Sequence, residues 1–457
     1  MRSWTRSFSV YLEPRVLSIL FLGFSSGLPL LLVYSTLSAW LTEVGVSKTA
    51  IGLISLVGIA YAFKFLWSPL CDQVPIPVLT RLLGRRRSWM LFSQVILMAA
   101  IFAMAGNDPA TEEGLWWTVF WAVIVAFASA TQDIVIDAYR TEILETDKLG
   151  AGAANVVFGY RVGMLVAGGG ALIVADFAGW YWAYVAMAGL VVVGMITVLL
   201  SPEPARATSP EAEAFEAKGR VFMDRYAHLP PPAQSAAAWV YGAVIAPFGE
   251  FITARPRAWI GILLFIGLYK YGDALLGVMA NPFYIEIGFT KTEIGAVSKG
   301  FGLAMTLAGA GLGGLLVARY GILRALLIAG FGQAASNLVF AVQAWVGPSV
   351  PMLIVTIGVE NVTGGMGTTA FVAYLSSLCN VAYTATQYAL LSSFMAAART
   401  FFASGGGWLA DRVDWITFFV LTTLAAVPGI ALLFWLIRRF PPEDIPRPSP
   451  VARSANG

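Results

Sequence analysis

Apolar residues fall in long runs along this chain, and short polar stretches separate one run from the next. A helix needs roughly 17–25 mostly apolar residues to cross a bilayer, and about twelve runs reach that length. Backbone N–H and C=O groups find no partners in lipid, so such runs must form helices. The pattern predicts an all-α polytopic membrane protein with spanning segments near residues 16–41, 50–71, 88–106, 115–137, 152–176, 181–200, 258–281, 292–317, 322–345, 350–375, 383–410 and 414–437.

A second pattern is an internal repeat with a spacing of about 240 residues. Residues 43–52 read EVGVSKTAIG, residues 286–295 read EIGFTKTEIG, and each copy lies between two apolar runs. Arg161 and Arg399 continue the repeat, because each precedes three consecutive glycines that we expect to serve close helix packing. Two related sets of six helices predict a transporter with its substrate site between the halves. The predicted units are an N-terminal six-helix bundle at 1–201, a linker with an interfacial helix at 202–256, a C-terminal six-helix bundle at 257–440 and a disordered tail at 441–457.

Composition and charge agree with a membrane protein and predict its orientation. Only 12% of the residues are charged and 58% are hydrophobic, which leaves too little charge to cover a soluble domain. With the N-terminus in the cytoplasm, 21 of the 29 Lys and Arg residues lie on the cytoplasmic side and 3 on the outer side. This bias predicts two cytoplasmic termini, and the net charge of +3 gives no sign of a nucleic-acid surface. Cys71, Cys379 and His228 form no metal-ligand pattern, so we expect neither a metal nor a cofactor.

Acidic residues inside the predicted spans are candidates for proton coupling, because ionisable groups are costly in a bilayer. Asp133 and Asp137 are one helical turn apart on the fourth segment, and two carboxyl groups this close are suited to relay a proton. Asp273 and Glu360 lie near mid-depth in the seventh and tenth segments. The alternative is that each acid pairs permanently with a basic neighbour and only holds helices together.

Basic and amide side chains inside the spans are candidates for substrate binding. An excess of cations facing a cavity indicates an anionic substrate, and amide and tyrosine side chains suit a sugar. For many of these residues a packing role is the open alternative. The predicted set comprises Lys64, Arg161, Lys270, Lys299, Arg399, Gln132, Asn361, Gln387, Tyr61 and Tyr269.

The turn between the second and third segments has the composition of a gate. Asp72 is followed by Gly84 and the consecutive basic residues Arg85, Arg86 and Arg87. An aspartate near a helix end, with arginine partners, would latch one face of the protein closed and release it when the halves rock. The alternative is that the arginines only fix the orientation in the membrane.

Several longer motifs together resemble the AmpG-type muropeptide permeases of the major facilitator superfamily. The resemblance implies a proton-driven importer of N-acetylglucosaminyl-1,6-anhydro-N-acetylmuramyl peptides in the bacterial inner membrane. It further implies alternating access and a role in cell-wall recycling and β-lactamase induction; we expect a monomer. The motifs are FLGFSSGLPLLL from Phe21, FLWSPLCD from Phe65, QDIVIDAYR from Gln132, GYRVGMLVAGGGALI from Gly159, LYKYGDAL from Leu268, ENVTGGMGTTAFVAYL from Glu360 and TATQYALL from Thr384.

Three other functions stay open at this point. A transporter of the same fold could carry another anionic or sugar-containing solute, including a cargo like acetyl-CoA. A membrane enzyme acting on lipid-linked wall precursors would leave the repeat unexplained, and the sequence has no zinc signature, nucleophile elbow or phosphate loop. A sensor or scaffold would bind a ligand without accumulating it.

Overall fold

Twelve helical segments in two sets of six make up the part of the chain that the structure describes. The computed structural model describes residues 10–47, 50, 54–204, 230, 233–234, 237, 240–241, 245–290, 293–294, 296–380 and 382–439. Within these residues, ten helices are long and apolar enough to cross a membrane. The second segment, built from short turns, and the eleventh segment, a helix of 27 residues, complete the predicted twelve.

The segments follow the predicted order, with differences at their ends. In the first half they are Pro14–Val33 continued by Ser35–Glu43, then Ser55–Gly58 to Ser68–Gln73, Arg85–Ala105, Glu112–Ile143, Leu149–Leu165 continued to Ala171–Ala178, and Trp180–Leu200. In the second half they are Trp259–Leu268 continued by Tyr271–Glu286, then Ala296–Phe301 with Gly302–Tyr320, Ile322–Val346, Val350–Leu378, Thr384–Ala410 and Trp415–Arg439.

Two equivalent turns show the relation between the halves at the level of the backbone. Gly84 joins the second and third segments with φ +88°, and Gly321 joins the eighth and ninth with φ +81°. Glycine adopts this left-handed conformation at no steric cost, which explains why both turns contain it. Each glycine directly precedes the first residue of the next spanning helix.

The linker between the halves contains one helix that the structure describes. Ala246–Ala254 forms this helix just before the seventh segment, within the region for which an interfacial helix is predicted. Its buried residues include Pro247, Glu250 and Phe251. The predicted flexible part of the linker, with His228, and the predicted disordered tail at 441–457 lie outside the described residues.

The largest hydrophobic cluster joins the two halves at one face of the bundle. It contains Val10 and Leu149 of the first half together with Val317, Tyr374 and Leu436 of the second. Two smaller clusters are each confined to one half, the first to residues 28–191 and the second to residues 276–419. We call the face that carries Val10 and Leu436 the joined face. A two-half transporter that is closed on one side has this arrangement.

The closest helix contact in the first half is between the first and fifth segments. A Cβ atom on Gly159 would lie 1.9 Å from the Leu20 carbonyl oxygen, and one on Gly27 would lie 2.1 Å from that of Tyr160. The glycine triplets differ in packing, because a Cβ on Gly169 would meet nothing closer than 4.0 Å, whereas one on Gly406 would lie 2.9 Å from the Leu275 carbonyl oxygen of the seventh segment. The close packing that we expect of the triplets is therefore present at Gly406 and absent at Gly169.

Replacing Gly159 with alanine should therefore destabilise the protein, because the added methyl group forces two backbones apart. Overpacking of this kind costs about 1–3 kcal/mol or more. The measurement is the midpoint of thermal unfolding in detergent, followed by fluorescence-detected size exclusion. Gly169→Ala is the matched control on the same segment and should leave the midpoint nearly unchanged. Equal midpoints for the two variants would contradict this account of the contact.

Candidate functional site

Two of the predicted cations lie where spanning helices are interrupted. Lys64 begins the 3₁₀ turn Lys64–Leu66 of the second segment, and Lys270 separates the helices Trp259–Leu268 and Tyr271–Glu286 of the seventh. Non-helical backbone at membrane depth is tolerated only where it is buried in protein or lines a cavity. In transporters such discontinuous helices form the substrate and ion sites near the midplane. Lys64 and Lys270 therefore each lie at a helix interruption, one on the second segment and one on the seventh.

The acidic pair of the fourth segment is bound on both sides. The Ser26 hydroxyl donates to Asp133 Oδ1 over 2.5 Å, and Arg140 Nη2 lies 3.1 Å from Asp137 Oδ1. Lys64 Nζ lies 3.9 Å from Asp137 Oδ2 and also interacts electrostatically with Asp133. Both acids are half-buried. The two carboxyl groups thus share one lysine, so a change in the charge of one alters the electrostatic environment of the other.

Arg140 connects this acidic pair to the other half of the protein. Its Nη2 binds Asp137 within the first half, whereas its Nη1 donates to Ser376 Oγ of the tenth segment over 2.8 Å. The guanidinium also lies 5.3 Å from the ring centroid of Tyr388 on the eleventh segment. Arg140 is fully buried. The charge on Asp137 is therefore in direct contact with an arginine that holds the halves together.

The second half contains its own buried cation and acid. Lys270 Nζ lies 3.8 Å from Asp273 Oδ2 and 3.2 Å from Thr368 Oγ1, and the Gln333 amide donates to the same oxygen of Asp273. Glu360 is half-buried on the tenth segment and interacts electrostatically with Asp273. Lys270 and Asp273 partly neutralise each other, so this pair contributes little net charge to the site.

Two arginines provide positive charge without a paired acid. Arg161 and Arg399 are exposed at equivalent places in the fifth and eleventh segments, and neither forms an ion pair with any described residue. Both interact electrostatically with Lys270, and Arg399 also interacts with Asp273. Because Lys270 is already paired with Asp273, Arg161 and Arg399 provide the net positive charge here, one from each half. An anion placed between the halves would be attracted to both.

Other predicted binding residues have their polar atoms engaged by the protein. Gln132 Nε2 donates to the Ser25 carbonyl oxygen over 2.8 Å, and the Tyr269 hydroxyl donates to the Leu326 carbonyl oxygen over 2.8 Å. Gln387 binds the linker helix, as described below, and Asn361 Oδ1 accepts from the Thr306 hydroxyl over 2.7 Å. These contacts join neighbouring elements, so we do not include the four residues in the proposed binding site.

The remaining two predicted binding residues differ in their placement. The Tyr61 hydroxyl is buried beside Ser129 and interacts electrostatically with Asp133, which places it next to the acidic pair. Lys299 belongs to the π-helical turn Ala296–Phe301, and its side chain lies outside the described part of the chain.

The predicted gating aspartate binds across the halves at the joined face. Asp72 Oδ2 accepts from the main-chain N–H of Thr386 over 2.8 Å and from its hydroxyl over 2.7 Å, and Oδ1 accepts from the N–H of Ala385 over 3.3 Å. The first N–H groups of a helix have no partners within it, and they carry its positive partial charge. Asp72 therefore caps the eleventh segment from the opposite half.

Arg86 is the arginine that holds Asp72 in place. Its Nη2 lies 2.7 Å from Asp72 Oδ1 and 2.5 Å from Glu142 Oε1 at the end of the fourth segment. All three side chains are almost fully buried. Because a buried cation between two carboxylates is strongly held, the aspartate is fixed in the orientation that reaches the other half.

The other two arginines of the basic cluster bind within the first half. Arg85 Nη1 donates to the Asp72 carbonyl oxygen over 2.6 Å, and Arg87 Nε donates to the Val198 carbonyl oxygen over 2.9 Å at the end of the sixth segment. Glu203 accepts from the N–H groups of Arg86 and Arg87, so it caps the third segment. Sequence reasoning missed Glu142 and Glu203, although their acidic charge at segment ends near three arginines was a usable signal.

Comparison with known proteins gives the class of the chain. The model of the Major Facilitator Superfamily matches residues 19–283 and 262–455. The solved structure of the proton:xylose symporter XylE superposes with a TM-score of 0.62 at 14% sequence identity and covers 96% of each chain. The superposition confirms the predicted fold, and the chain is a multi-pass membrane transporter and not an enzyme.

More similar relatives narrow the class. The chain is 42% identical to the anhydromuropeptide permease of Escherichia coli K12 over 426 residues, which cover 93% of this chain and 80% of the relative. It is 34% identical over 432 residues to the putative transporter AmpG 4 of Rickettsia felis, with 94% and 98% covered. The chain belongs to the AmpG-type anhydromuropeptide permease family within the major facilitator superfamily.

Proposed function

We propose that this protein imports anhydromuropeptides across the bacterial inner membrane by alternating access, driven by the proton gradient. The proposal is supported by 42% identity to an anhydromuropeptide permease over most of the chain. The bias of basic residues supports cytoplasmic termini, which makes the joined face the cytoplasmic one. The described conformation is then closed toward the cytoplasm. The transporter acts as a monomer, with one substrate path between its halves.

The observation that carries the choice of substrate is the unpaired pair Arg161 and Arg399. Anhydromuropeptides combine two sugars with peptide carboxylates, so they offer several anionic groups on one large molecule. Arginine binds carboxylate through a planar fork of N–H donors. Arg161 and Arg399 lie on different halves, and both interact electrostatically with Lys270. A carboxylate bound by these groups would draw the halves together on the substrate.

The proposed proton-binding residues of the first half are the acids of the fourth segment. Asp133 and Asp137 share Lys64, and Asp137 binds Arg140, which in turn contacts the tenth and eleventh segments. Protonation of Asp137 removes the charge that Arg140 binds, and this weakens the contact between the halves. Asp273 and Glu360 form a second acidic pair near Lys270 and are the proposed proton sites of the other half.

The proposed gate is the contact of Asp72 with the eleventh segment. Asp72→Asn should weaken the closed state, because the neutral amide loses the charge-assisted bonds to Thr386 and to Arg86. Bonds of this type contribute about 1.5–3 kcal/mol each, so the ratio of closed to open protein should fall by roughly tenfold or more. Labelling of a cysteine placed on the inner surface near the joined face measures this change. Asp411→Asn, an exposed acid at the opposite end of the eleventh segment, should have no effect.

Uptake by the purified protein tests the proposed function. Proteoliposomes that contain only this protein are given labelled anhydromuropeptide, with and without an imposed inward proton gradient. Accumulation that collapses with a protonophore is the expected result. Absence of uptake, together with accumulation of another anion or sugar, would retain the transporter class and overturn the proposed substrate.

A further inference from the structure

The linker helix Ala246–Ala254 is bound to the same turn that receives the gating aspartate. Gln387 Nε2, in the first turn of the eleventh segment, donates to Glu250 Oε2 over 2.6 Å and to the Pro247 carbonyl oxygen over 2.9 Å. Asn380 Nδ2, just before that segment, donates to Glu250 Oε1 over 2.9 Å. Each oxygen of the Glu250 carboxylate therefore has a donor from the tenth-to-eleventh turn or the eleventh segment.

The Glu250 network is closed and buried. The main-chain N–H of Asn380 donates to Gln387 Oε1 over 2.7 Å, so both ends of the Gln387 amide are bound. Glu250 is 2% exposed. A buried carboxylate needs several hydrogen bonds to offset the cost of its desolvation, and it loses stability when one is removed. The network therefore attaches the linker helix specifically to the start of the eleventh segment.

Two acids from different parts of the chain bind this first turn. Asp72 reaches it from the first half through the N–H groups of Ala385 and Thr386, and Glu250 reaches it from the linker through Gln387. Asp72 must leave the turn when the halves separate. Glu250 precedes the seventh segment in the chain and binds residues of the second half, so it can stay in place during that motion.

We infer that Glu250 is a positioning residue of the gate, which fixes the start of the eleventh segment where Asp72 can bind it. This inference rests on the proposed alternating access, since it concerns the equilibrium between closed and open states at the joined face. The linker helix then acts as part of the second half. Loss of the Glu250 contact should shift the equilibrium toward the open state without any change at the substrate site.

Distances between spin labels measure this equilibrium without substrate or proton gradient. The labels are placed at Leu82 of the first half and Arg324 of the second, both exposed near the joined face. The two native cysteines are replaced by alanine in every variant, so that only the new sites react. Glu250→Ala should raise the ratio of long to short distances by at least about fivefold, the lower end of typical coupling between sites.

Thr253→Val is the matched control on the linker helix, because the Thr253 hydroxyl donates to Gly249 of the same helix. It should leave the ratio unchanged. In an Asp72→Asn background, Glu250→Ala should add less than about twofold, because both residues act on one turn and their effects are not independent.

Glu250→Gln keeps the test decisive if the alanine variant does not fold. In this variant an NH₂ group replaces one of the two carboxylate oxygens of Glu250. That group then faces the NH₂ of Gln387 or of Asn380, and two donors cannot bond, so at least one hydrogen bond is lost. An unchanged distance ratio in this variant, with faster hydrogen exchange in Ala246–Ala254, would overturn the inference. A ratio that does not respond to Asp72→Asn would instead contradict the gate of the proposed function, whatever Glu250 does.

Discussion

Replacing Arg161 or Arg399 with glutamine should raise the half-saturation concentration for anhydromuropeptide by roughly 10- to 100-fold. Each variant loses a charge-assisted hydrogen bond to a carboxylate, and such a bond contributes about 1.5–3 kcal/mol. Both arginines are exposed and form no ion pair with a described acid, so their removal breaks no buried ion pair. The double variant should lose measurable uptake. Initial uptake rates over a range of substrate concentrations provide the measurement.

Two controls separate a loss of binding from a loss of charge or of folding. Arg412→Gln removes one arginine beyond the end of the eleventh segment that lies away from the joined face, where Arg412 stacks on Trp408 at 4.2 Å, and should leave uptake unchanged. Arg399→Lys keeps the charge but loses the planar fork, so its effect should be intermediate. A half-saturation concentration equal to that of the wild type in both glutamine variants would show that these arginines do not bind the substrate.

Asp133→Asn and Asp137→Asn should each abolish uphill uptake and spare exchange of substrate at equal concentrations. In the proposed mechanism uphill transport needs a proton to be carried, whereas exchange needs only the motion of the loaded transporter. One charge crossing 100 mV supplies about 2.3 kcal/mol, which supports roughly a fifty-fold gradient of a neutral substrate. Losing this coupling should reduce accumulation to the external concentration. Parallel assays of uphill uptake and counterflow in the same vesicles test the prediction.

The two aspartates should differ in their effect on conformation. Asp137→Asn frees Arg140 from its acid and should shift the equilibrium at the joined face, whereas Asp133 binds Ser26 within the first half. Asp176→Asn, an exposed acid near the far end of the fifth segment, is the matched control for uphill uptake. Unchanged uphill uptake in both Asp133→Asn and Asp137→Asn would exclude the fourth segment from proton coupling.

Hydrophobicity predicted the number and order of the spanning segments because bilayer thickness fixes how long each apolar run must be. It did not predict the break at Tyr269 and Lys270, because the flanking glycines Gly267 and Gly272 resemble glycines that lie inside continuous helices elsewhere in the chain. A break of this kind depends on tertiary contacts, such as the bond from Lys270 to Thr368. The local pattern of a sequence does not contain contacts between residues 98 positions apart.

The charged residues of the candidate site were predictable from the sequence, whereas its neutral residues were not. Lys64, Arg161, Lys270 and Arg399 are rare cations in apolar segments, so their residue types were sufficient to select them. The amides were not, because an amide in a spanning helix can bind a ligand or a neighbouring carbonyl group equally well. Gln132 binds the first segment, and its sequence surroundings give no hint of that partner.

The capping of the eleventh segment by Asp72 has a consequence for how this family diverges. Much of the binding surface for the aspartate is main-chain N–H, which every amino acid except proline supplies. The residue types around Ala385 can therefore differ between relatives without loss of the N–H groups that bind Asp72. Asp72 itself has no such freedom, because its single side chain provides the charge, reach and geometry of the contact together. Selection must act almost entirely on one side of this contact, and the other side is maintained by the helical backbone.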